Sequence, residues 1–459
     1  MPNVRVRMYR QGLGDCFLLT FPREGGDAHV LIDCGVLMGT EDARGRMRAV
    51  AQNILDVTGG HLDVLVATHE HWDHICGFAL AEEIFAKLTV QEVWLAWTES
   101  PLDELATELR ERKHRVQRAV ETTIHHLNAV DGGNGNRTAG RLAAIMEFEG
   151  GMGAAARKTT ASAMEWIKNR PGARIRFFVP GVDLVSIPGV DGVQVFVLGP
   201  PRDRKLLKRS DPSKKASEVY ELAGGLASDL GFLAAVESIA EGAEAQSKPF
   251  DKFFCVSEAE AQQKRFFETH YARDAEWRGI EHDWMDAATR LALNMDSDTN
   301  NTCLALAFEL TASGRVLLFP GDAQVGNWLS WESLRWQVGS GAAARTVSST
   351  DLLGRTVLYK VGHHGSHNAT LREKGLELMS SDELAAMIPV SRTTAAKMEW
   401  RMPFPSLFRR LQEKTEGRVI DLDTGVPAAN PGRLSDAEWG RFVARTDVQP
   451  QWIDYAIPL

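Results

Sequence analysis

The fold is decided by the stretch Val64-Leu-Val-Ala-Thr-His69-Glu-His71-Trp-Asp73-His74-Ile-Cys-Gly77. An apolar run typical of a buried strand ends here in three histidines and one aspartate within six residues. Imidazole and carboxylate groups are the usual ligands of zinc and related metals. His69 and His71 point the same way on an extended segment, and a following helix would turn Asp73 and His74 toward the same cavity. The stretch predicts two pairs of ligands for two metal ions, whereas a polar loop with chance histidines is disfavoured by the spacing.

The composition is that of a globular chain with a moderate acidic excess. The 459 residues include 52 basic and 61 acidic side chains, for a net charge of -9, which excludes a globally basic nucleic-acid binder but allows a local basic patch. The first residues lack the apolar core of a signal peptide, and no run approaches the roughly 18 apolar residues of a membrane span. Five scattered cysteines without a CxxC pair favour reduced thiols. We expect a cytoplasmic protein with no membrane partner.

Two early segments also place a carboxylate beside a predicted strand. In Gly12-Leu-Gly14-Asp15 a glycine turn joins two strands, and Asp15 either lies near the metal site or caps the turn. In Val30-Leu-Ile-Asp33-Cys-Gly35 an apolar strand ends at Asp33. Asp33 either holds a metal-bound histidine from behind or caps a plain turn.

Two late segments repeat the pattern. The run Arg315-Val-Leu-Leu-Phe-Pro-Gly-Asp322 delivers a carboxylate that has one oxygen for each of two cations. The run Thr356-Val-Leu-Tyr-Lys-Val-Gly-His363-His364-Gly-Ser366 ends a strand in adjacent histidines. Because neighbours on an extended chain point in opposite directions, one histidine is expected to bind metal and the other to face substrate.

Together these segments resemble the metallo-β-lactamase superfamily, because Asp33, the His69-to-His74 motif, Asp322 and His363 follow its motif order. Four shorter elements resemble more narrowly the ComEC-type branch of DNA-uptake competence proteins: Gly12-Leu-Gly14-Asp15, Asn300-Asn301-Thr302-Cys303, Phe319-Pro-Gly-Asp322 and His363-His364-Gly365-Ser366. The resemblance covers residues 1–100, roughly 170–200 and 298–400.

That resemblance implies an α/β fold, a four-layer αββα metallo-β-lactamase sandwich, in one domain over residues 1–459. Two largely helical insertions, 101–170 and 201–297, and a C-terminal wrap, 405–459, would surround it. Two divalent ions, Zn or Mn, would bind at its edge. By the same resemblance His69 and His71 would hold the first ion, Asp73, His74 and His363 the second, and Asp322 would bridge. The further histidine that the superfamily often supplies to the first ion is not visible, so one place stays open.

A basic segment follows the likely end of the core strands. Seven of the fourteen residues from Arg202 to Lys215 are Lys or Arg, against two Asp. The segment is either a solvated loop or a flap that contacts phosphate. In the second case the substrate-binding residues are expected to be Arg202, Arg204, Lys205, Lys208 and Arg209.

The ligand set predicts hydrolysis. Two ions that share Asp322 would lower the pKa of a bridging water, so that hydroxide forms at neutral pH. Asp73 would orient that water, and His364 or Ser366 would donate a proton or hydrogen bond to the leaving group. The leading expectation is a phosphodiesterase or nuclease acting on DNA or RNA. The alternatives are a hydrolase of a small ester, thioester or lactam, and a binding or regulatory subunit that keeps the fold without activity. The helical insertions offer a surface for a protein partner.

Overall fold

The computed structural model describes residues 3–129, 139–140, 142–143, 146, 159–182, 184–210, 260–261, 263–270, 292, 295–341, 344–398 and 400–459. The strands are β1 (Asn3–Tyr9), β2 (Cys16–Arg23), β3 (Gly26–Cys34), β4 (His61–Val66), β5 (Thr89–Ala96), β6 (Arg174–Phe178), β7 (Leu184–Val185), β8 (Val193–Gly199), β9 (Ala305–Leu310), β10 (Arg315–Phe319), β11 (Arg335–Val338), β12 (Arg345–Ser348), β13 (Thr356–Lys360), β14 (Ala385–Ile388), β15 (Val419–Asp421), β16 (Thr446–Val448) and β17 (Trp452–Pro458). The helices are α1 (Ala43–Thr58), α2 (Trp72–Leu80), α3 (Glu82–Phe85), α4 (Glu104–Ala129), α5 (Thr160–Lys168), α6 (Arg204–Leu207), α7 (Arg265–His270), α8 (Val325–Ser330), α9 (Ser349–Gly354), α10 (Arg392–Lys397), α11 (Pro405–Lys414) and α12 (Asp436–Ala444).

The strands form two large sheets and one hairpin. The first sheet has eight strands in the order β16-β17-β1-β2-β3-β4-β5-β6, and the second has seven in the order β15-β14-β13-β10-β9-β8-β7. In the first sheet β3, β4, β5 and β6 run parallel. In the second, β10, β13, β14 and β15 run parallel. Strands β11 and β12 pair by themselves. The prediction of a mixed α/β fold is confirmed, and the four-layer arrangement stays a prediction.

Alternation along the strands divides the apolar side chains among three cores, one between the two large sheets and one on the outer face of each. Val30 and Ile32 of β3 enter a core that also contains Leu317 of β10, so the two sheets share it. Leu31, between them, enters a second core beside helices α1 and α2. Leu318 of β10 likewise packs on the other side, in a core with helix α8. This period of two is what strands buried on both faces require, and it explains their continuous apolar sequence.

The carboxyl ends of the parallel strands position the site. Asp33 lies at the end of β3 and His69 follows β4, while Asp322 follows β10 and His363 follows β13. In open α/β sheets the loops beyond these strand ends form the usual place for ligands. The sequence pattern of strand followed by polar residue therefore converges on one region of the fold.

The chain divides into two compact units. The first comprises Met1–Arg110, Glu147–Gly225 and Asp296–Leu459 and contains both large sheets. The second comprises Glu111–Met146 and Leu226–Met295, and its described residues include most of α4 and the short helix α7.

The described residues cover the two predicted insertions and the predicted C-terminal wrap to different extents. Helices α4 and α5 lie within the first proposed insertion, and most of the second proposed insertion lies outside the described residues. The predicted C-terminal wrap contributes strands to both sheets, because β15 pairs with β14 and β17 pairs with β1. Over the described part of the chain, no helix combines the length and the apolar character needed to cross a membrane.

Candidate metal centre

The histidine motif folds as a short loop that leads directly into a helix. His69 follows strand β4, His71 is the N-cap of α2, and Asp73 lies in the first turn of that helix. A carboxylate in the first turn interacts favourably with the helix dipole. His69, His71, Asp73 and His74 are all at most 1% exposed. Four ionisable side chains in a dry interior need partners, and the surrounding loops supply them.

Two glycines allow those loops to approach the motif closely. A Cβ on Gly35 would lie 2.2 Å from the carbonyl carbon of Asp73, and a Cβ on Gly14 would lie 2.7 Å from its oxygen. The backbone N–H of Asp15 donates to the same Asp73 oxygen at 3.0 Å. Only glycine fits at these two positions, and the close approach brings the carboxylate of Asp15 into the site.

Carboxylates and histidines from both sheets form one buried cluster. Ligand atoms of Asp15, His74, Asp322 and His364 all lie within 4.8 Å of one another. Asp73 joins them, since its Oδ2 lies 3.0 Å from Nε2 of His364. These five residues come from four of the segments predicted from sequence, with two of them, Asp73 and His74, from the histidine motif, and with His364 rather than His363 inside the cluster.

The outer nitrogens of two histidines fix how their rings are protonated. His74 Nδ1 lies 2.8 Å from Asp33 Oδ2, and His364 Nδ1 lies 2.7 Å from the Pro389 carbonyl oxygen. Carboxylate and carbonyl oxygens only accept, so both Nδ1 atoms must donate. The Nε2 atoms then face the cluster, with Nε2 of His74 3.0 Å from Asp322 Oδ2. A histidine held from behind in this way presents Nε2 to a metal ion, which displaces any proton on that nitrogen when it binds.

Asp33 also fixes the orientation and the protonated nitrogen of the His69 ring, acting through Thr68. The hydroxyl of Thr68 donates to Asp33 Oδ2 at 2.7 Å. Its single proton is thereby used, so the contact of 3.0 Å to His69 Nδ1 requires the histidine to donate. The Nε2 of His69 is left as an acceptor. One carboxylate therefore orients two histidines of the motif.

His69 and His71 have the spacing expected of ligands to one ion. His69 Nε2 lies 3.0 Å from His71 Nδ1. Two nitrogens on one tetrahedral zinc stand roughly 3.3 Å apart when each bond is about 2.0–2.1 Å long. The pair can hold a first metal position, as its spacing in sequence suggests.

A buried lysine, which sequence reasoning missed, lies at the centre of the site. Lys360, 1% exposed at the end of β13, forms an ion pair with Asp15 and donates to Asp322 Oδ1 at 3.2 Å. The backbone N–H of His363 donates to the same Oδ1 at 3.0 Å. We expected Asp322 to offer one oxygen to each ion. In the structure Oδ2 of Asp322 is directed at His74 and His364, whereas Oδ1 accepts these two hydrogen bonds. The bridging role of Asp322 stays a prediction.

The opposite charges in the cluster keep one another ionised, although burial by itself disfavours every charged form. Burial disfavours protonated His74, but Asp322 and Asp15 outweigh it and hold the pKa of His74 well above its usual range. Burial also disfavours ionised Asp322, yet His74 and Lys360 keep the pKa of that carboxyl well below its usual range. Burial lowers the pKa of His363 to about 4, so that ring stays neutral.

The donor set fits divalent metal ions. Asp15 Oδ1 and Asp73 Oδ1 are buried and have no hydrogen-bond partner among the described residues. Buried acceptors left without partners cost free energy, and a divalent cation bound beside these two carboxylates would remove that cost. Carboxylate oxygen and imidazole nitrogen together suit zinc or manganese.

The comparison with protein families agrees with this geometry. Residues 9–133 match the family model of the metallo-beta-lactamase superfamily. The predicted resemblance is confirmed over this range, which includes Asp15, Asp33 and the whole histidine motif. None of the curated proteins compared with the chain matches it. The ComEC-type branch stays a prediction.

The backbone of the candidate metal centre is strained. Among the described residues, positive φ at non-glycine positions occurs at Asp33, Asp42, His363, His364 and Glu416. Three of these five lie in the cluster or beside it, which is where strained backbone is commonly retained for function. At 42° and 52°, the φ angles of His363 and His364 turn the chain so sharply that the extended-strand rule for neighbours does not apply.

The two remaining residues of the predicted histidine loop lie outside the cluster. His363 Nδ1 lies 3.5 Å from the amide nitrogen of Gln324. The hydroxyl of Ser366 donates to Asn368 Oδ1 at 3.0 Å. The structure therefore places His363 and Ser366 next to the candidate metal ligands, and the ring directed into the cluster is that of His364.

The basic segment is partly engaged with acidic side chains. Arg202 donates to Asp103 Oδ2 at 2.7 Å, and its guanidinium lies 4.3 Å from the ring centre of Trp97. Arg204 donates through Nη2 to Glu108 at 2.5 Å. These two arginines are thus paired with the start of α4, whereas Lys205 and Lys208 are exposed.

The end of the basic segment contacts the loops of the site. The carbonyl oxygen of Arg209 accepts from Asn301 Nδ2 at 3.0 Å and from the backbone N–H of Gly326 at 2.7 Å. The carbonyl oxygen of Ser210 accepts from Asn368 Nδ2 at 3.2 Å. The segment is therefore anchored beside the histidine loop.

Proposed function

We propose that the protein is a metal-dependent hydrolase that cleaves phosphodiesters, most consistent with a nuclease. The observation that carries the proposal is the buried cluster of Asp15, Asp73, His74, Asp322 and His364, whose ligand atoms converge from two sheets. Metallo-beta-lactamase proteins are mostly hydrolases, and residues 9–133 match their family model.

Each metal position has its own residues in this proposal. His69 and His71 would hold the first ion, and Asp73, His74 and His364 would hold the second. Asp322 would contribute its Oδ2 to the site, since its Oδ1 already accepts from Lys360 and from the His363 backbone. When bound, zinc or manganese supplies an activated water and neutralises negative charge on the substrate.

The remaining residues of the site prepare that chemistry. Asp33 keeps the rings of His69 and His74 turned inward, so their nitrogens need no rearrangement. Asp73 Oδ1 is buried without a hydrogen bond and can accept one from a water molecule that it orients. The neutral ring of His363, held beside the cluster, can interact with substrate without a change of charge.

The phosphodiester assignment draws on charge and on position. Carboxylate-rich sites suit the hard divalent ions that phosphate substrates require. Lys205 and Lys208 are exposed on a segment whose end hydrogen-bonds to Asn368, two residues after Ser366. A phosphate group near the metal centre would therefore lie close to positive charge.

The test is a substrate panel on protein whose metal content has been measured. The protein is stripped with a chelator and reconstituted with Zn or Mn. It is then assayed with single- and double-stranded DNA, RNA and a simple phosphodiester. We expect metal-dependent cleavage of at least one of them by the wild type and none by Asp322→Asn. Asp447→Asn, the same change at an exposed position on β16, should behave as wild type.

Other outcomes separate the alternatives. Cleavage of esters, thioesters or lactams, with every phosphodiester intact, would replace the proposed substrate class by a small molecule. Less than one ion per chain and no hydrolysis of any compound would support a binding or regulatory role for the fold.

A further inference from the structure

His71 is contacted from behind by an aspartate that the motif does not contain. His71 Nε2 lies 3.7 Å from Asp296 Oδ1, which is longer than a hydrogen bond but close enough for electrostatic attraction between an N–H group and a carboxylate. The other oxygen of Asp296 accepts from Asn300 Nδ2 at 3.3 Å. Asp296 is mostly buried, with 15% of its side chain exposed, and Asn300 is fully buried.

The two nitrogens of His71 face different groups. Nδ1 lies 3.0 Å from His69 Nε2, on the side where the first metal position is proposed. Nε2 faces Asp296. The carboxylate therefore lies behind the ring, and the open third place at the first ion is not filled by it.

We propose that Asp296 is the positioning residue of His71 and keeps a proton on Nε2, so that Nδ1 is the nitrogen offered to metal. This inference rests on the proposed metal-dependent function. Asp33 orients His74 by a direct hydrogen bond of 2.8 Å and His69 through Thr68, whereas Asp296 acts on His71 across the longer distance of 3.7 Å. A carboxylate behind a metal-binding histidine fixes the ring and raises its basicity as a ligand.

The position of Asp296 in the chain gives this contact a wider role. It lies at the end of the predicted second insertion, in the helical residues 296–301 that precede β9. The same short helix supplies Asn300 to the carboxylate and Asn301 to the carbonyl oxygen of Arg209. Its placement thus links the first metal position to the basic segment.

The test compares the same substitution at two positions of one helix. Asp296→Asn should lower zinc affinity at the first position by about 10–100-fold, as loss of such partners does. The second position should keep its ion. Asp298→Asn, two residues away, should bind both ions as wild type does, and Asp296→Glu should recover part of the affinity. Zinc is measured by chelator competition, and the ligand field of the first position by the visible spectrum of bound Co(II).

A second measurement is independent of both metal loading and hydrolysis. In metal-free protein with ¹⁵N-labelled histidine, the His71 resonance, assigned from a His71→Ala sample, should show a proton on Nε2. Asp296→Asn should shift it toward the form protonated only on Nδ1. Unchanged zinc affinity, Co(II) spectrum and ¹⁵N shifts in Asp296→Asn would overturn the inference. A wild-type protein with the expected ¹⁵N pattern but no hydrolysis would reject the proposed function and leave the role of Asp296 intact.

Discussion

Replacement of Lys360 tests whether the cluster is held together by a built-in cation. Lys360→Met keeps the length of the side chain and removes its charge. The lysine and its two carboxylate partners, Asp15 and Asp322, are each at most 2% exposed. Loss of one member of a buried ion pair costs about 3–5 kcal/mol, because the remaining charge stays in a dry site without compensation. We expect the metal-free variant to lose stability in that range.

The assay is urea unfolding followed by circular dichroism, with a chelator present. If the free energy of unfolding changes by about 3 kcal/mol per molar urea, that loss lowers the midpoint by roughly 1–1.7 M. Lys374→Met is the matched control, since Lys374 is half exposed and pairs with exposed Glu332. Surface pairs of this kind contribute about 0–1 kcal/mol, so its midpoint should hardly move.

Two further measurements identify the cause of the loss. If Lys360 acts mainly by neutralising Asp15, then Lys360→Met combined with Asp15→Asn should cost less than the sum of the two single changes. Zinc at about 100 times its dissociation constant should return roughly 2.7 kcal/mol to the single variant, since a divalent ion replaces the missing charge. A metal-free Lys360→Met protein with the wild-type midpoint would refute this account of the cluster.

Four more substitutions address single contacts. Asp322→Ala should abolish hydrolysis and lower the metal content found by elemental analysis, and turnover retained in this variant would mean that the motif is misassigned. His364→Ala should lose the second ion, whereas His363→Ala should keep it, because only the His364 ring enters the cluster; equal metal content in the two variants would contradict the structure. Asp33→Asn should weaken zinc binding by about 10–100-fold in chelator competition, since Asp33 orients two ligands; unchanged affinity would remove that role.

The sequence predicted those site residues that follow directly from strand patterns. Asp33, the histidine motif and Asp322 each come after an apolar run, and parallel strands bring their carboxyl ends to one edge. The glycine turn before Asp15 was predicted as a turn alone, and the structure adds that Gly14 lies close against the backbone of Asp73. At these positions the residues that follow apolar strands also lie together in the fold, so the sequence pattern was sufficient to assign them to the site.

The choice between His363 and His364 depended on backbone angles that the sequence does not display. The prediction assumed an extended chain, on which neighbours alternate. The structure instead has positive φ at both residues and a hydrogen bond from the His363 N–H to Asp322. Tertiary contacts of the loop decide which ring turns inward, and no local pattern reports them.

Lys360 and Asp296 were missed for two different reasons. Lys360 is a lone charge at the end of a buried strand, the same signal that identified Asp322, but it was read as part of the strand. Asp296 lies in a polar region without periodicity and reaches His71 across more than 200 residues of chain. The first could have been found from the sequence, whereas the second required the fold.

The two orienting carboxylates differ in how many metal positions they control. Asp33 contacts His74 directly and His69 through Thr68, so it acts on ligands of both proposed ions. Asp296 approaches His71, which is a ligand of the first proposed ion. If each carboxylate acts only through its histidines, loss of Asp33 should weaken both positions and loss of Asp296 only the first. Asp33→Asn alters ligands of both proposed ions, whereas Asp296→Asn alters a ligand of the first ion. Comparing metal binding by the two variants therefore distinguishes ions that bind cooperatively from ions that bind independently, and the comparison needs no substrate.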